Sequence, residues 1–323
     1  MPDSRNTALD YVRVGALGGV VLDHFLQRYS VLGYNSGLWL GGVCVTLFFA
    51  LSAWLFGAKW RKGGCRGFEV LPFVKKRISR VYLPLWIALL AIVPIEYLFA
   101  HQFDIKTIAY NVLGLGWARP FEVGGHLWFI TMIVLLYAAF LVFSRLRLDR
   151  VPMWGWFAAL GLIVAAFCQW SAQFSTYSHA GSPVFIWMAG LLFCKGDVLE
   201  SWHAKHRAAI VIVATALVAG SWALYVQIPG WHDACKPWAV LTTALAGLMV
   251  FCLMAGGKCK QESALLKHLA GISYEFYLVH LPLLTVSAAL VKSLWLMVPV
   301  WLAASWLCAV ALNKLTNIKR SRS

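Results

Sequence analysis

The chain has 323 residues, 61% of them hydrophobic, with 17 Trp and a positive mean hydropathy. Soluble domains average about 45–50% apolar residues, so the composition excludes an ordinary soluble enzyme and predicts an all-α integral membrane protein. The net charge of +15 does not point to nucleic acid, because the basic residues cluster in short loops between apolar runs, where they orient a membrane chain and meet anionic lipid headgroups.

Taken from the N-terminus, apolar stretches fall near 9–31, 38–57, 80–99, 124–143, 153–173, 183–194, 208–228, 238–255, 269–291 and 295–313. The first is not read as a cleavable signal, because Arg13 interrupts it and no small-residue cleavage site follows. Residues 105–123, "IKTIAYNVLGLGWARPFEV", are ambiguous: short, broken by two Gly and a Pro, and carrying Lys106, Arg119 and Glu122. Loop charge decides how they are read. With this stretch outside the count, 22 Lys and Arg share one side, and only Arg28, Lys106, Arg119, Lys236 and Lys292 fall on the other. The positive-inside rule then predicts about ten transmembrane helices with both termini cytoplasmic, and an outer or re-entrant loop at 105–123. No Gly-, Ser- or Pro-rich linker and no internal repeat divides the chain, so residues 1–323 read as one transmembrane domain without an appended soluble domain.

Several apolar stretches carry polar groups. In "ALDYVRVGALGGVVLDHFLQRY", Arg13 and His24 are eleven residues apart. Helical geometry sets them about 20° apart in azimuth and about 16 Å apart along the axis. A charge at membrane depth costs at least about 2.5–3.5 kcal/mol, so this face should turn to the protein interior or a water-filled cavity. Asp23 is expected not to share the face of its neighbour His24, since adjacent positions diverge by about 100°. Asp10, three residues before Arg13, is placed to hold its guanidinium.

"FVKKRISRVYLPLW" leads from a basic loop into the third stretch. Arg77 and Arg80, at i and i+3, are predicted neighbours on one helix face, and paired guanidinium forks suit phosphate oxygens. Basic residues at such a boundary also follow from topology alone. "GGHLWFITM" puts His126 and Trp128 near an interface, Trp128 fitting an aromatic belt. "GISYEFYLVHLPLL" puts Ser273, Tyr277 and His280 on one stripe at i, i+4 and i+7, with Glu275 off it and in need of a partner from another helix.

Eight cysteines are scattered, with only Cys235 in a predicted outer loop, so no disulfide framework is expected. The His203 and His206 pair sits in a basic loop without thiolates or acids and is read as solvated, and no metal is expected.

Together these segments resemble the acyltransferase 3 family of membrane acyltransferases. The family's "LDxLRxxAxxxVxxxHF" is met by Leu9-Asp10, Arg13 and His24-Phe25. Its "GVxxFFxLSGxLL" resembles "GVCVTLFFALSAWLF", with added length between Val43 and Phe48, and with Ala53 in place of Gly. Its arginine-pair region, closed by Pro-x-Tyr, is met by Arg77, Arg80 and Pro84, with Trp86 in the Tyr position. "HLWFL" is matched from His126 to Phe129, followed by Ile130, and "SYxxYLxHxP" by Ser273, Tyr274, Tyr277, Leu278, His280 and Pro282.

The resemblance implies transfer of an acyl group, usually acetyl, from cytoplasmic acyl-CoA to a hydroxyl of a glycan or glycolipid. It assigns Arg13 and His24 to the active centre and Arg77 and Arg80 to the donor's charged end, with Asp10, His126, Ser273, Tyr277 and His280 in support. It also points to a bacterial inner membrane. Coenzyme A suits such a site, being a polyanionic head on a long thin arm. A neutral imidazole can take the acceptor's proton, with Arg13 as oxyanion stabiliser or clamp on the arm. An acyl-enzyme on His24 or a Ser stays open. Two rivals stand beside this reading: a sugar or lipid transporter using His24 and Glu275 as a proton relay, and an assembly subunit of an envelope complex. The missing internal repeat counts against the transporter.

Overall fold

The computed structural model describes residues 7–29, 34–101, 103–170, 177–223, 232–255 and 263–321, with the side chains of 34–39, 167–170, 177–182, 200, 202–204, 232–239, 255 and 318–321 excepted. Cys235 and His203, singled out above, therefore have side chains outside the described residues. Among the described residues the chain is all helical, without strands.

Each apolar stretch overlaps a helix in its described residues. These helices are α1 (Thr7–Tyr29), α2 (Tyr34–Lys62), α4 (Leu83–Ala100), α6 (Trp128–Leu146), α7 (Met153–Trp170), α8 (Tyr177–Lys205), α9 (Arg207–Trp222), α10 (His232–Ala255), α11 (Ala264–Leu290) and α12 (Leu294–Ser321). Two short α-helices are also described: α3 (Val70–Arg77), joined to α4 through a π-helical turn at Ile78–Tyr82, and α5 (Ile105–Val112). Among the described residues five segments are long and apolar enough to cross a membrane: Leu40–Lys62, Val70–Ala100, Gly125–Leu146, Ala264–Leu290 and Leu294–Asn317. Shorter apolar helices run over Met153–Ala166, Arg207–Trp222 and Val240–Met254. The stretch expected at 183–194 is the middle of the longer α8, whose C-terminal turns carry Lys195, Asp197 and Lys205. Apolarity marks only that part of a helix that lies among apolar neighbours, so hydropathy undercounts its length.

The helices form two compact units. The first holds α1, α2, the later part of α6, and α7 to α10. Within it α2 borders α1, α8, α9 and α10. Small residues permit this close approach: a Cβ on Gly57 would strike the Phe193 backbone, and one on Gly247 the Thr46 side chain. Phe193 stacks with Trp60 and Phe140 at centroid separations of 5.1 and 5.4 Å. The basic ends of these helices are tied into the same unit. Arg61 Nη1 donates to the Phe193 carbonyl at 2.5 Å, and Lys195 Nζ to the Asp149 carbonyl at 2.5 Å.

The second unit holds α3, α4, α5, the start of α6, most of α11, and α12. Its Val70–Ala100 segment has 31 residues. At about 1.5 Å per residue, it exceeds the roughly 30 Å hydrocarbon core. The part bearing Lys75 and Lys76, which has no buried residue, therefore extends past the apolar layer.

Residues 105–123 form α5 and a series of turns rather than a long helix. Asp104 caps α5 by accepting from the Lys106 and Thr107 amides at 3.0 and 3.1 Å. The Thr107 hydroxyl and these amides hold its carboxyl below the usual carboxylate range, and Arg119 pairs with it at 3.1 Å. Beyond the cap, side chains satisfy the irregular backbone. Asn111 Nδ2 donates to the Thr107 and Arg119 carbonyls, both at 2.9 Å, and the Thr131 hydroxyl donates to the Gly114 carbonyl at 2.8 Å. Gly114, at φ +73°, takes a left-handed turn that a Cβ would crowd against Tyr82.

A further tie comes from Glu96 of α4. Its buried carboxylate accepts from the Glu122 amide at 2.6 Å and the Val123 amide at 2.8 Å. Glu96→Ala would leave both amides without this acceptor, at an expected cost of about 2–4 kcal/mol, read as a lowered melting temperature in detergent. Glu96→Gln, with one acceptor oxygen left, should lose about half as much. A Glu96→Ala protein that melts with the wild type would show that the carboxylate does not hold the segment.

Candidate active site

The first group of site residues lies on α1, within the first unit. The helix is unbroken from Thr7 to Tyr29, so Arg13 and His24 keep the three-turn separation expected from their spacing. Arg13 is half-buried and donates from Nη1 to Asp10 Oδ1 at 3.2 Å, as the i, i+3 spacing predicts. Asp10 is itself buried. A buried carboxylate beside the guanidinium restricts the directions in which Arg13 can present its remaining N–H groups.

His24 keeps 14% of its side-chain surface exposed. Its Nε2 lies 3.7 Å from Asp23 Oδ2, which corrects the expectation that these neighbours diverge. Backbone spacing sets the direction of Cβ, not of the side-chain tip. Gln27, one turn on, donates from Nε2 to Asp23 Oδ1 at 2.6 Å. Gly41 of α2 leaves the space that the carboxylate occupies, and a Cβ there would collide with it. Asp23 is thereby held over the imidazole at ion-pair rather than hydrogen-bond distance. The sequence signals only the Asp23–Gln27 bond, at i and i+4; the contact with His24 depends also on Gly41 of another helix. An imidazole with a carboxylate beside it can accept a proton and stabilise the imidazolium that results.

The second group lies in the second unit. Arg77 ends α3, half-buried, its guanidinium 5.6 Å from the centroid of the Phe73 ring. Arg80 is exposed and sits inside the π turn. Arg80 lies in a π turn, not in the regular α-helix on which the i, i+3 expectation for the two arginines rests, so α-helical spacing does not set their relative direction.

His126, Tyr277 and His280 are all buried and gathered into one cluster, with ring centroids 5.1 to 5.7 Å apart. Each makes a hydrogen bond to a backbone carbonyl. The Tyr277 hydroxyl donates to His126, His126 Nε2 to Leu278 at 3.2 Å, and His280 Nδ1 to its own helix at Tyr277, 2.7 Å away. Trp301 of α12 donates to the His280 carbonyl at 2.7 Å. These bonds tie the start of α6, α11 and α12 together. Ser273, on the same sequence stripe, turns its hydroxyl back to Ala270 of its own helix at 3.0 Å. Glu275 is buried on α11. Among the described residues no group of three or more His, Cys, Asp or Glu is arranged to hold a metal ion.

Comparison with known proteins agrees with the motifs. A family model described as an acyltransferase domain, that of acyltransferase 3, matches residues 6–313. Searches of curated proteins and of solved structures return no match. The matched span takes in both groups of site residues and the five candidate membrane-crossing segments, apart from the last residues of Leu294–Asn317. The chain therefore belongs to the acyltransferase 3 family, as a multi-pass integral membrane acyltransferase.

Proposed function

We propose that the protein moves an acyl group, in the simplest case acetyl, from a cytoplasmic coenzyme A thioester to a hydroxyl of a cell-surface glycan or glycolipid. The chain crosses a bacterial inner membrane about ten times, with both termini in the cytoplasm. The observation that carries the reading is the arrangement on α1, where Asp10 holds Arg13 and Asp23 lies beside His24 in an apolar helix. Uncompensated polar groups at such depth are costly, and this set supplies a base and a cation without a metal.

In the proposed reaction His24 accepts the proton of the acceptor hydroxyl as its oxygen attacks the thioester carbon. Arg13, three turns from His24 and held by Asp10, serves as a clamp on the coenzyme A arm. The C–S bond then breaks, the acyl group stays on the acceptor oxygen, and the coenzyme A sulfur takes the proton from the imidazolium. Asp23 offsets the charge that His24 carries between the two proton transfers. Arg77 and Arg80 bind the donor's phosphates by charge-assisted hydrogen bonds. The family match does not favour the transporter reading, in which His24 and Glu275 relay protons.

Coenzyme A should raise the melting temperature of the detergent-purified protein, as any ligand of the folded state does. Replacing both Arg77 and Arg80 with Gln should remove most of that shift while leaving the ligand-free melting temperature nearly unchanged. A full shift in the double variant would take the arginines out of donor binding. Topology has its own test in Cys65, half-exposed in the turn after α2. A membrane-impermeant maleimide should label it from the cytoplasmic side only. Labelling from outside would overturn the ten-span arrangement.

A further inference from the structure

The π turn between the two arginines has a local cause. Pro84 follows it at the start of α4. Proline lacks an N–H, and its ring clashes with the carbonyl four residues back, here that of Arg80. The helix widens instead: the Leu83 amide donates to the Ile78 carbonyl, five residues earlier, and Ile78–Tyr82 forms the π turn. Single π turns inside α-helices are rare and concentrate at functional sites.

Hydrogen bonds to segments outside α3 and α4 hold this turn and the start of α4. Tyr274 of α11 donates its hydroxyl to the Val81 carbonyl, inside the turn, at 2.9 Å. On another side the Tyr82 hydroxyl donates to the Leu113 carbonyl at 3.1 Å, and Trp86 Nε1 to the Val112 carbonyl at 2.9 Å. These bonds anchor the turn to α11 and to the end of α5. Because the turn begins directly after Arg77 and contains Arg80, its geometry sets the directions in which the two guanidinium groups leave the backbone.

We propose that Tyr274 is a positioning residue for donor binding: its hydroxyl holds the Pro84-induced π turn and so fixes Arg77 and Arg80 for the phosphate groups of coenzyme A. The inference rests on the donor role proposed above for the two arginines. Tyr274 acts through the backbone, so its loss should change donor affinity and leave the chemical step alone.

The test uses the full chain in detergent with coenzyme A as probe, binding being measured by calorimetry and turnover with acetyl-CoA. Tyr274→Phe should weaken coenzyme A about fivefold, the effect of one lost hydrogen bond. The KM for acetyl-CoA should rise in proportion, with kcat unchanged. Pro84→Ala restores the N–H and lets an α-helix run through. It should weaken coenzyme A at least as much, while the melting temperature holds or rises, because Ala is the better helix former. A purely structural role for Tyr274 would not make affinity and stability part company in this way. Wild-type affinity in either variant, with the Arg77→Gln, Arg80→Gln double variant weakened, overturns the inference and leaves the donor role standing. No binding by the wild-type protein, or undiminished binding by the double-arginine variant, overturns both.

Discussion

An ionised or polar side chain set among apolar helices must find its partner inside the protein, and this constraint organises the molecule. It accounts for Asp10 beside Arg13 and for Gln27 on the far oxygen of Asp23. It accounts for the two backbone amides that converge on Glu96. Each arrangement offsets a desolvation cost of several kcal/mol. On α1 the same pairing does a second thing. Because Gln27 and Gly41 confine Asp23, its other oxygen is directed at His24, the residue proposed above as the base.

The backbone obeys the same constraint. Where the chain leaves the α-helix, around Ile78–Tyr82 and over 105–123, side chains of the second unit supply the hydrogen bonds that the helix no longer makes. Tyr82, Trp86, Glu96, Asn111, Thr131 and Tyr274 all serve in this way. Irregular backbone at such positions is tolerated only where protein or water meets it. The His126, Tyr277 and His280 cluster belongs to this class of contact: its hydrogen bonds end on carbonyls of α11 and of His126, in the turn before α6.

Much of this was legible in the sequence, because hydropathy and helical spacing are local properties. Each of the ten apolar stretches overlaps a helix in its described residues, and the Asp10–Arg13 contact follows from its i, i+3 spacing. What could not be read depended on side-chain tips, on a changed helical period, or on partners distant in sequence. The Asp23–His24 contact needs Gly41 of another helix. Arg77 and Arg80 were placed on one face by assuming an α-helical period that Pro84 interrupts. Ser273 shares a stripe with Tyr277 and His280, yet its short hydroxyl finds its own backbone first. The ties of residues 105–123 reach to α4 and α6, which no local pattern encodes.

The account turns on His24 as the base of the transfer reaction. The most direct measurement is acylated product formed per folded enzyme by His24→Gln, with coenzyme A binding and melting temperature taken on the same preparation. Gln keeps the capacity to hydrogen-bond Asp23 but cannot take a proton at neutral pH. The account predicts a fall in turnover of at least about a hundredfold, with coenzyme A binding and stability close to wild type. Turnover near the wild-type rate would contradict it and leave the proton of the acceptor hydroxyl without a destination on α1.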